Sequence, residues 1–215
     1  MAREGIGTVL ASALMALVVT AGAAVTGAPG LVVLTALLWL AVGLVVYFFR
    51  DPPRHPPLGE SLVLSPADGR VVVVFKEEAR EFLSGEVWRI AVFLSLLDVH
   101  VIRSPITGRV GYFRYQKGRF APARREEAGQ LNEQVVLGIE GGQHKVLLQL
   151  IAGVVARRVV CHPREGWCVE KGQRIGIIRF GSRVELTVPG DASVQVRLGQ
   201  KVRAGETVIA RIGRE

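Results

Sequence analysis

In Phe180-Gly181-Ser182 a serine follows a glycine between two strand-like runs, Arg174 to Arg179 and Val184 to Val188. Its hydroxyl can fold back onto the preceding carbonyl, because glycine adds no side chain to obstruct the attack. Such a serine could cut its own chain. The same dipeptide also suits a bulge or turn between strands, so alone it decides nothing. A second candidate follows the most apolar run of the region after residue 61, Ile90 to Leu97, where Asp98-Val99-His100 sets a carboxylate and an imidazole two residues apart. Residues two apart in a strand share a face, and a carboxylate beside a histidine fixes its tautomer and raises its basicity, as activation of a hydroxyl nucleophile requires. A surface ion pair is the plainer reading of the same two residues. Asp68, in the turn Pro66-Ala67-Asp68-Gly69, is either an Asx-turn former or a functional carboxylate, depending on what it faces. Cys161 and Cys168 flank His162, but six residues separate the cysteines, wider than the usual two to four, and no second ligand pair follows. Reduced thiols are expected there, and no metal.

The elements that would position these groups are legible in composition. Hydrophobic residues make up 49% of the 215, and the 45 residues from Gly5 to Phe49 carry no charge. Gly27-Ala28-Pro29-Gly30 divides them into two stretches of about 20 residues, each near the length that crosses a bilayer as a helix. Residues 1–50 are therefore read as a transmembrane helical hairpin, with helices over 6–27 and 31–49. A secretory signal peptide cleaved near Ala21-Gly22-Ala23 is the competing reading, but its basic region would be Arg3 alone, offset by Glu4, and its apolar region is long. Arg3 at one end, Arg50 and Arg54 at the other, and an uncharged loop between them keep both ends cytoplasmic. Residues 51–215 hold 25 Lys/Arg against 18 Asp/Glu, +7 of the net +8. That favours an anionic leaflet by about 1 kcal/mol per basic residue near its surface. Nucleic acid is not the expected partner, since an anchor already explains where the charge is useful.

The proline-rich Asp51-Pro52-Pro53-Arg54-His55-Pro56-Pro57 cannot continue a helix and opens a stiff spacer over residues 51–61. From residue 62 to 215, glycine-punctuated apolar or alternating runs, from Arg70–Phe75 to Thr207–Ile212, indicate a mainly β domain. Lys117 to Asn132, which contains Pro122, reads as a loop. Its Lys117, Arg119, Arg124 and Arg125, with Phe120, suit either anionic headgroups or a solvated loop. Two internal echoes suggest a compact sandwich with approximate symmetry. Ser65-Pro66-Ala67-Asp68-Gly69-Arg70-Val71 recurs 39 residues later as Ser104-Pro105-Ile106-Thr107-Gly108-Arg109-Val110, and Val169 to Ile175 recurs 27 residues later as Val196 to Val202. Such turns resemble those of the barrel-sandwich hybrid of biotinyl and lipoyl carriers, as does the segment Gly199 to Ile212. In the first echo Asp68 stands where the second copy has neutral Thr107.

Taken in order, Phe48-Phe49-Arg50-Asp51-Pro52, Ser65-Pro66-Ala67-Asp68-Gly69, Phe93-Leu94-Ser95 leading to Asp98-Val99-His100, Asn132-Glu133 and Phe180-Gly181-Ser182 resemble the short bacterial and archaeal form of the phosphatidylserine decarboxylases. The resemblance covers nearly the whole chain. It implies that Ser182 attacks the Gly181 carbonyl, that elimination releases residues 1–181 as a large subunit, and that a pyruvoyl group is left capping the small subunit, residues 182–215. His100, supported by Asp68, is the implied base, while Asp98 orients the same histidine or serves decarboxylation. The covalently formed pyruvoyl group then forms an imine with the headgroup amine of a membrane phospholipid and accepts the electrons left by carbon dioxide, with neither metal nor pyridoxal phosphate. The product is phosphatidylethanolamine, and a homo-oligomer is left open.

Two positions depart from the family pattern. Many members carry a second histidine three residues after the first, where this chain has Arg103. Either His100 takes both roles or the relay is arranged differently. The residue after the reactive serine is commonly threonine or serine and here is Arg183. Arg103, Arg183, Lys117 and Arg119 are the candidate substrate contacts. Two other classes use the same features: a non-catalytic, membrane-anchored barrel-sandwich adaptor, and a membrane-anchored serine hydrolase. The adaptor ordinarily carries a long coiled-coil insertion, and the hydrolase a strand-to-helix nucleophile elbow. Neither is visible in the sequence.

Overall fold

The structure is a computed structural model and describes residues 1–79, 81–118, 132–142, 144–153, 159–178 and 182–213. Phe180, Gly181 and Arg119 lie outside the described residues, as does the 117–132 loop from residue 119 to 131. The chain divides into two compact units, Met1–Pro52 and Pro53–Glu215.

The first unit is two apolar helices, α1 (Ile6–Thr26) and α2 (Pro29–Phe48), each long and apolar enough to cross a membrane. The break falls where the sequence places it, but α2 starts earlier than the expected residue 31. Pro29 lacks an N–H that the first helical turn could not use anyway, and its fixed φ suits that position. The helices form a hairpin: Trp39 Nε1 donates to Thr20 Oγ1 at 3.2 Å, and Ala2 N donates to Phe49 O at 2.7 Å near the open end.

The second unit is mainly β, as composition predicts. Its fourteen described strands are β1 (Leu62–Leu64), β2 (Gly69–Glu78), β3 (Glu86–Leu94), β4 (Val101–Arg103), β5 (Gly108–Gln116), β6 (Gln134–Gly141), β7 (His144–Ile151), β8 (Val159–Cys161), β9 (Cys168–Val169), β10 (Arg174–Ile178), β11 (Ser182–Pro189), β12 (Ser193–Val194), β13 (Lys201–Val202) and β14 (Val208–Arg211). Eight of them form one curled half-barrel sheet in the order β13-β2-β3-β11-β7-β6-β5-β9, and two small sheets run β1-β14-β12 and β4-β10-β8. Alternation puts Ile90, Val92 and Leu94 of β3 and Val184, Leu186 and Val188 of β11 on one face, where they join a core shared with Val63, Ile102, Ile175 and Ile209 of the small sheets. Each such fully buried aliphatic side chain contributes about 1.5–3 kcal/mol.

The order is symmetric about the β11–β7 pair, so that β13, β2, β3 and β11 correspond to β9, β5, β6 and β7. Both copies of the first echo have the same detail. Ser65 Oγ and Ser104 Oγ each donate to the carbonyl two residues on, at 2.7 Å, and the bulge between Val71 and Val73 recurs between Val110 and Tyr112. The second echo falls in a different register from the 27-residue one. Gly199 and Gln200 pair with Val71 as Gly166 and Trp167 pair with Val110, and Gly205 bonds Ser65 as Gly172 bonds Ser104. The true spacing is 33 residues, Gly166-x-x-Val169-x-x-Gly172 against Gly199-x-x-Val202-x-x-Gly205, with φ of 88°, 79°, 82° and 72° at the four glycines. The shorter spacing matched one glycine of each pair and missed the backbone partners that give the repeat its register.

Candidate active site

Six connections between the described strands cross between the large sheet and the β4-β10-β8 sheet, and two of them lead to the candidate residues. Residues 95–100 lead from β3 to β4, and residues 179–181 lead from β10 to β11. Their ends are paired: Leu94 lies opposite Ser182 in the β3–β11 ladder, and Val101 lies opposite Ile177 in the β10–β4 ladder. The His100 carbonyl accepts from Ile178 N at 3.3 Å. The histidine connection thus begins at the partner of Ser182 and ends beside Ile178, the last described residue before Ser182. In the symmetric half the corresponding strands, β6 and β7, form a hairpin whose last pair is Gly141 with His144. Where that half closes a turn, this half leaves two strand ends open.

Ser182 is fully buried, and its Oγ has no hydrogen-bond partner among the described residues. His100 is also fully buried, with Nδ1 2.9 Å from the Asp98 carbonyl oxygen. A carbonyl can only accept, so Nδ1 carries the proton and Nε2 is the basic nitrogen.

The two aspartates stand differently from the sequence expectation. Asp98 does not lie in a strand with His100. Its Oδ2 accepts from Ser95 N at 2.8 Å and Ser95 Oγ at 2.6 Å, a turn that ends β3 at Leu94, and it is the Asp98 main chain that meets the imidazole. The Asp68 carboxylate accepts from Arg54 Nη2 at 3.0 and 2.7 Å and from Ala204 N at 2.8 Å, and makes no hydrogen bond to His100 among the described residues. Thr107 Oγ1 accepts from Lys171 N at 3.0 Å in the equivalent place, so both residues cap the same repeated turn. Only the charged one recruits Arg54, which also reaches Glu206 at 3.1 Å. Burial pushes the Glu206 carboxyl up, but hydrogen bonds from Arg54 and His55 N and the charges of Arg54 and Arg203 outweigh it and hold the group below its ordinary value. Arg54 was not singled out in the sequence, because its partners lie 14 and 152 residues away.

The candidate cations separate. Arg183 is buried on the face of β11 away from Ser182 and pairs with Glu185 at 2.6 Å. Arg103 Nη1 donates to Gly172 O at 2.9 Å, and Lys117 is exposed just past the end of β5. Asn132 and Glu133 are buried and tie β6, β7 and β8 together, through Asn132 Nδ2 to Ala152 O at 2.7 Å and Val159 N to Glu133 Oε1 at 3.3 Å. Cys161 and Cys168 are free thiols, and burial pushes Cys161 up to about 12. No group of three or more potential metal ligands occurs among the described residues.

The phosphatidylserine decarboxylase family profile matches residues 42–210. A phosphatidylserine decarboxylase proenzyme of Desulfotalea psychrophila is 38% identical over 213 residues, covering 98% of this chain and 96% of that protein. Proteins of the same name from Symbiobacterium thermophilum and Magnetococcus marinus are 45% identical over 169 residues and 41% over 177, covering 78% and 82% of this chain and 79% and 81% of theirs. With a family profile matching residues 42–210 and a relative 38% identical over 98% of its length, the chain belongs to the phosphatidylserine decarboxylase family.

Proposed function

We propose that this chain is a self-processing decarboxylase of phosphatidylserine, cleaved between Gly181 and Ser182, whose reactive carbonyl is made from Ser182. The observation that carries the reading is the buried Ser182 hydroxyl at the head of β11, without a hydrogen-bond partner among the described residues and paired through its strand with Leu94, where the connection to His100 begins. His100 Nε2 takes the Oγ proton as Oγ bonds to the Gly181 carbonyl carbon. Breaking the Gly181–Ser182 C–N bond, with return of the proton to the departing amine, leaves an ester. Removal of the residue-182 Cα proton and cleavage of its Cβ–Oγ bond then free residues 1–181 with a Gly181 carboxylate. The dehydroalanine left on residues 182–215 takes up water and loses ammonia to become a pyruvoyl group.

The Ser182 hydroxyl fits that group's origin, since no described residue bonds to it. Once formed, the pyruvoyl carbonyl supplies an electron sink for the bond to the departing carbon dioxide. Asp68, held by Arg54 and Ala204, acts in this reading as a positioning residue for the His100 side of the site, and Asp98 orients His100 through its main chain. The substrate is a membrane lipid, which gives the apolar hairpin its purpose, and the basic residues flanking that hairpin support a cytoplasmic β unit.

Intact mass is the direct test. Purified protein should contain chains 1–181 and 182–215, the smaller blocked at its N-terminus, and Ser182→Ala should remain one chain. A folded wild-type chain that stays whole would refute the assignment.

A further inference from the structure

A row of side chains crosses the large sheet from its edge to β11, on the face opposite the Ser182 side chain. Lys201 of β13 lies opposite Arg70 of β2, Arg70 opposite Phe93 of β3, and Phe93 opposite Arg183 of β11. The row begins in a cavity of about 490 Å³ lined by Arg70, Val72, Phe93, Ser95, Asp98 and Lys201. Phe93 lies on the sheet face opposite Leu94, the partner of Ser182, and the cavity meets the site past the end of β3, where its lining residue Asp98 reaches His100 through the main chain.

Its charges are two cations and one anion. The Lys201 ammonium has no partner among the described residues, and Arg70 gives Nη1 to Gly199 O at 2.7 Å, leaving the rest of its fork available. Asp98 spends Oδ2 on Ser95 and leaves Oδ1 open. A serine phosphodiester offers the complement, a phosphate and a carboxylate with one ammonium.

The rim is apolar. Leu96 and Leu97, on the turn between Ser95 and Asp98, are 54% and 68% exposed, and Leu198, in the turn that hydrogen-bonds to β2, is 68% exposed. Single exposed leucines are ordinary, but three on turns flanking one cationic cavity, beside exposed Val72 and Arg197, form an interfacial patch. The symmetric half lacks this pairing, having Cys168 where Lys201 stands.

We propose that this cavity is the headgroup site, with the phosphodiester on Arg70 and Lys201, the ammonium toward Asp98, and Leu96, Leu97 and Leu198 entering the acyl layer of the bilayer that presents the lipid. The assignment rests on the function proposed above, and its first test needs no activity. Full-length Ser182→Ala in detergent is titrated calorimetrically with glycerophosphoserine, the soluble headgroup. Arg70→Gln or Lys201→Gln should weaken binding roughly fivefold, and the pair roughly 30-fold. Arg109→Gln is the control, because Arg109 makes the same contact to Gly166 in the other half that Arg70 makes to Gly199, and it should not weaken binding. Binding absent at tens of millimolar, or surviving both substitutions, overturns the site.

In the processed enzyme, Leu96→Ser with Leu97→Ser and Leu198→Ser should raise KM for diacyl phosphatidylserine in mixed vesicles about tenfold more than KM for the soluble headgroup. Equal effects would remove the bilayer contact from the proposal. A cleaved wild-type chain that binds the headgroup but releases no carbon dioxide would refute the decarboxylase reading and leave the headgroup site standing.

Discussion

Asp68→Thr turns the first copy of the repeated turn into the second, and so separates the two jobs of this carboxylate. Thr107 shows that a hydroxyl can accept the turn N–H at 3.0 Å, so the variant keeps a cap for Ala204 N. What it loses is the partner of Arg54, a guanidinium whose side chain is 7% exposed. Removing one member of a buried ion pair costs about 3–5 kcal/mol. Here Asp68 is 15% exposed and Glu206 still holds Arg54 Nη1, which lowers the expected loss to about 2–3 kcal/mol. For a unit of this size that is a fall in Tm of about 4–10 °C. Adding Arg54→Met removes the stranded cation, so the double variant should be less destabilised than the sum, with a coupling of about 2 kcal/mol. Asp68→Val orphans Ala204 N as well and should cost about 1–3 kcal/mol more than Asp68→Thr. Thermal unfolding of the full chain in detergent, in a Ser182→Ala background that keeps every variant uncut, measures all four. Additive single and double effects, or an Asp68→Thr loss below about 0.5 kcal/mol, would refute the account.

Three further outcomes are expected. His100→Gln keeps a side chain that can donate to the Asp98 carbonyl but removes the basic nitrogen, so self-cleavage, followed as the fraction of chain broken at 181/182, should slow by about 10²–10⁴. Gly69→Ala places a Cβ against the Phe93 carbonyl oxygen at φ 155°, next to the strand pair that positions Ser182, and should block both folding and processing, whereas Ala at Gly142, which meets open space but has φ 59°, should cost only about 1 kcal/mol. The Glu206 carboxyl sits below its unfolded value of about 4.3, so its contribution is present above that pH and is lost as pH falls through its folded value. The Tm gap between wild type and Arg54→Met should therefore narrow below about pH 4, and a gap that widens there would contradict the sign.

What the sequence made visible follows the range of the interaction concerned. Period-two alternation is local, and it placed the runs that became β2, β3, β5, β6, β7 and β11; composition placed both apolar helices. The two-residue strands β9 and β13 have no period to read, since they exist through hydrogen bonds to β5 and β2. The end of β3 was legible in principle, because Ser95-x-x-Asp98 is a side-chain turn pattern, but the apolar Leu96 and Leu97 extended the apparent strand and set the Asp98 carboxylate beside His100, where its main chain stands instead. The ion pair of Arg54 with Asp68 and Glu206 was not legible, since no periodicity relates residues 14 and 152 apart. The repeats mark a different boundary. Self-comparison detects symmetry only where both halves keep the same residues, and here those are the turn motifs, not the chemistry. Ser182 occupies the position of His144, the first residue of β7 after a hairpin turn, but its own strand is reached from another sheet. That break lets the connection ending at His100 start at the strand partner of Ser182 and finish beside the end of β10. It has no counterpart in the other half, so a motif rather than a repeat had to point to it.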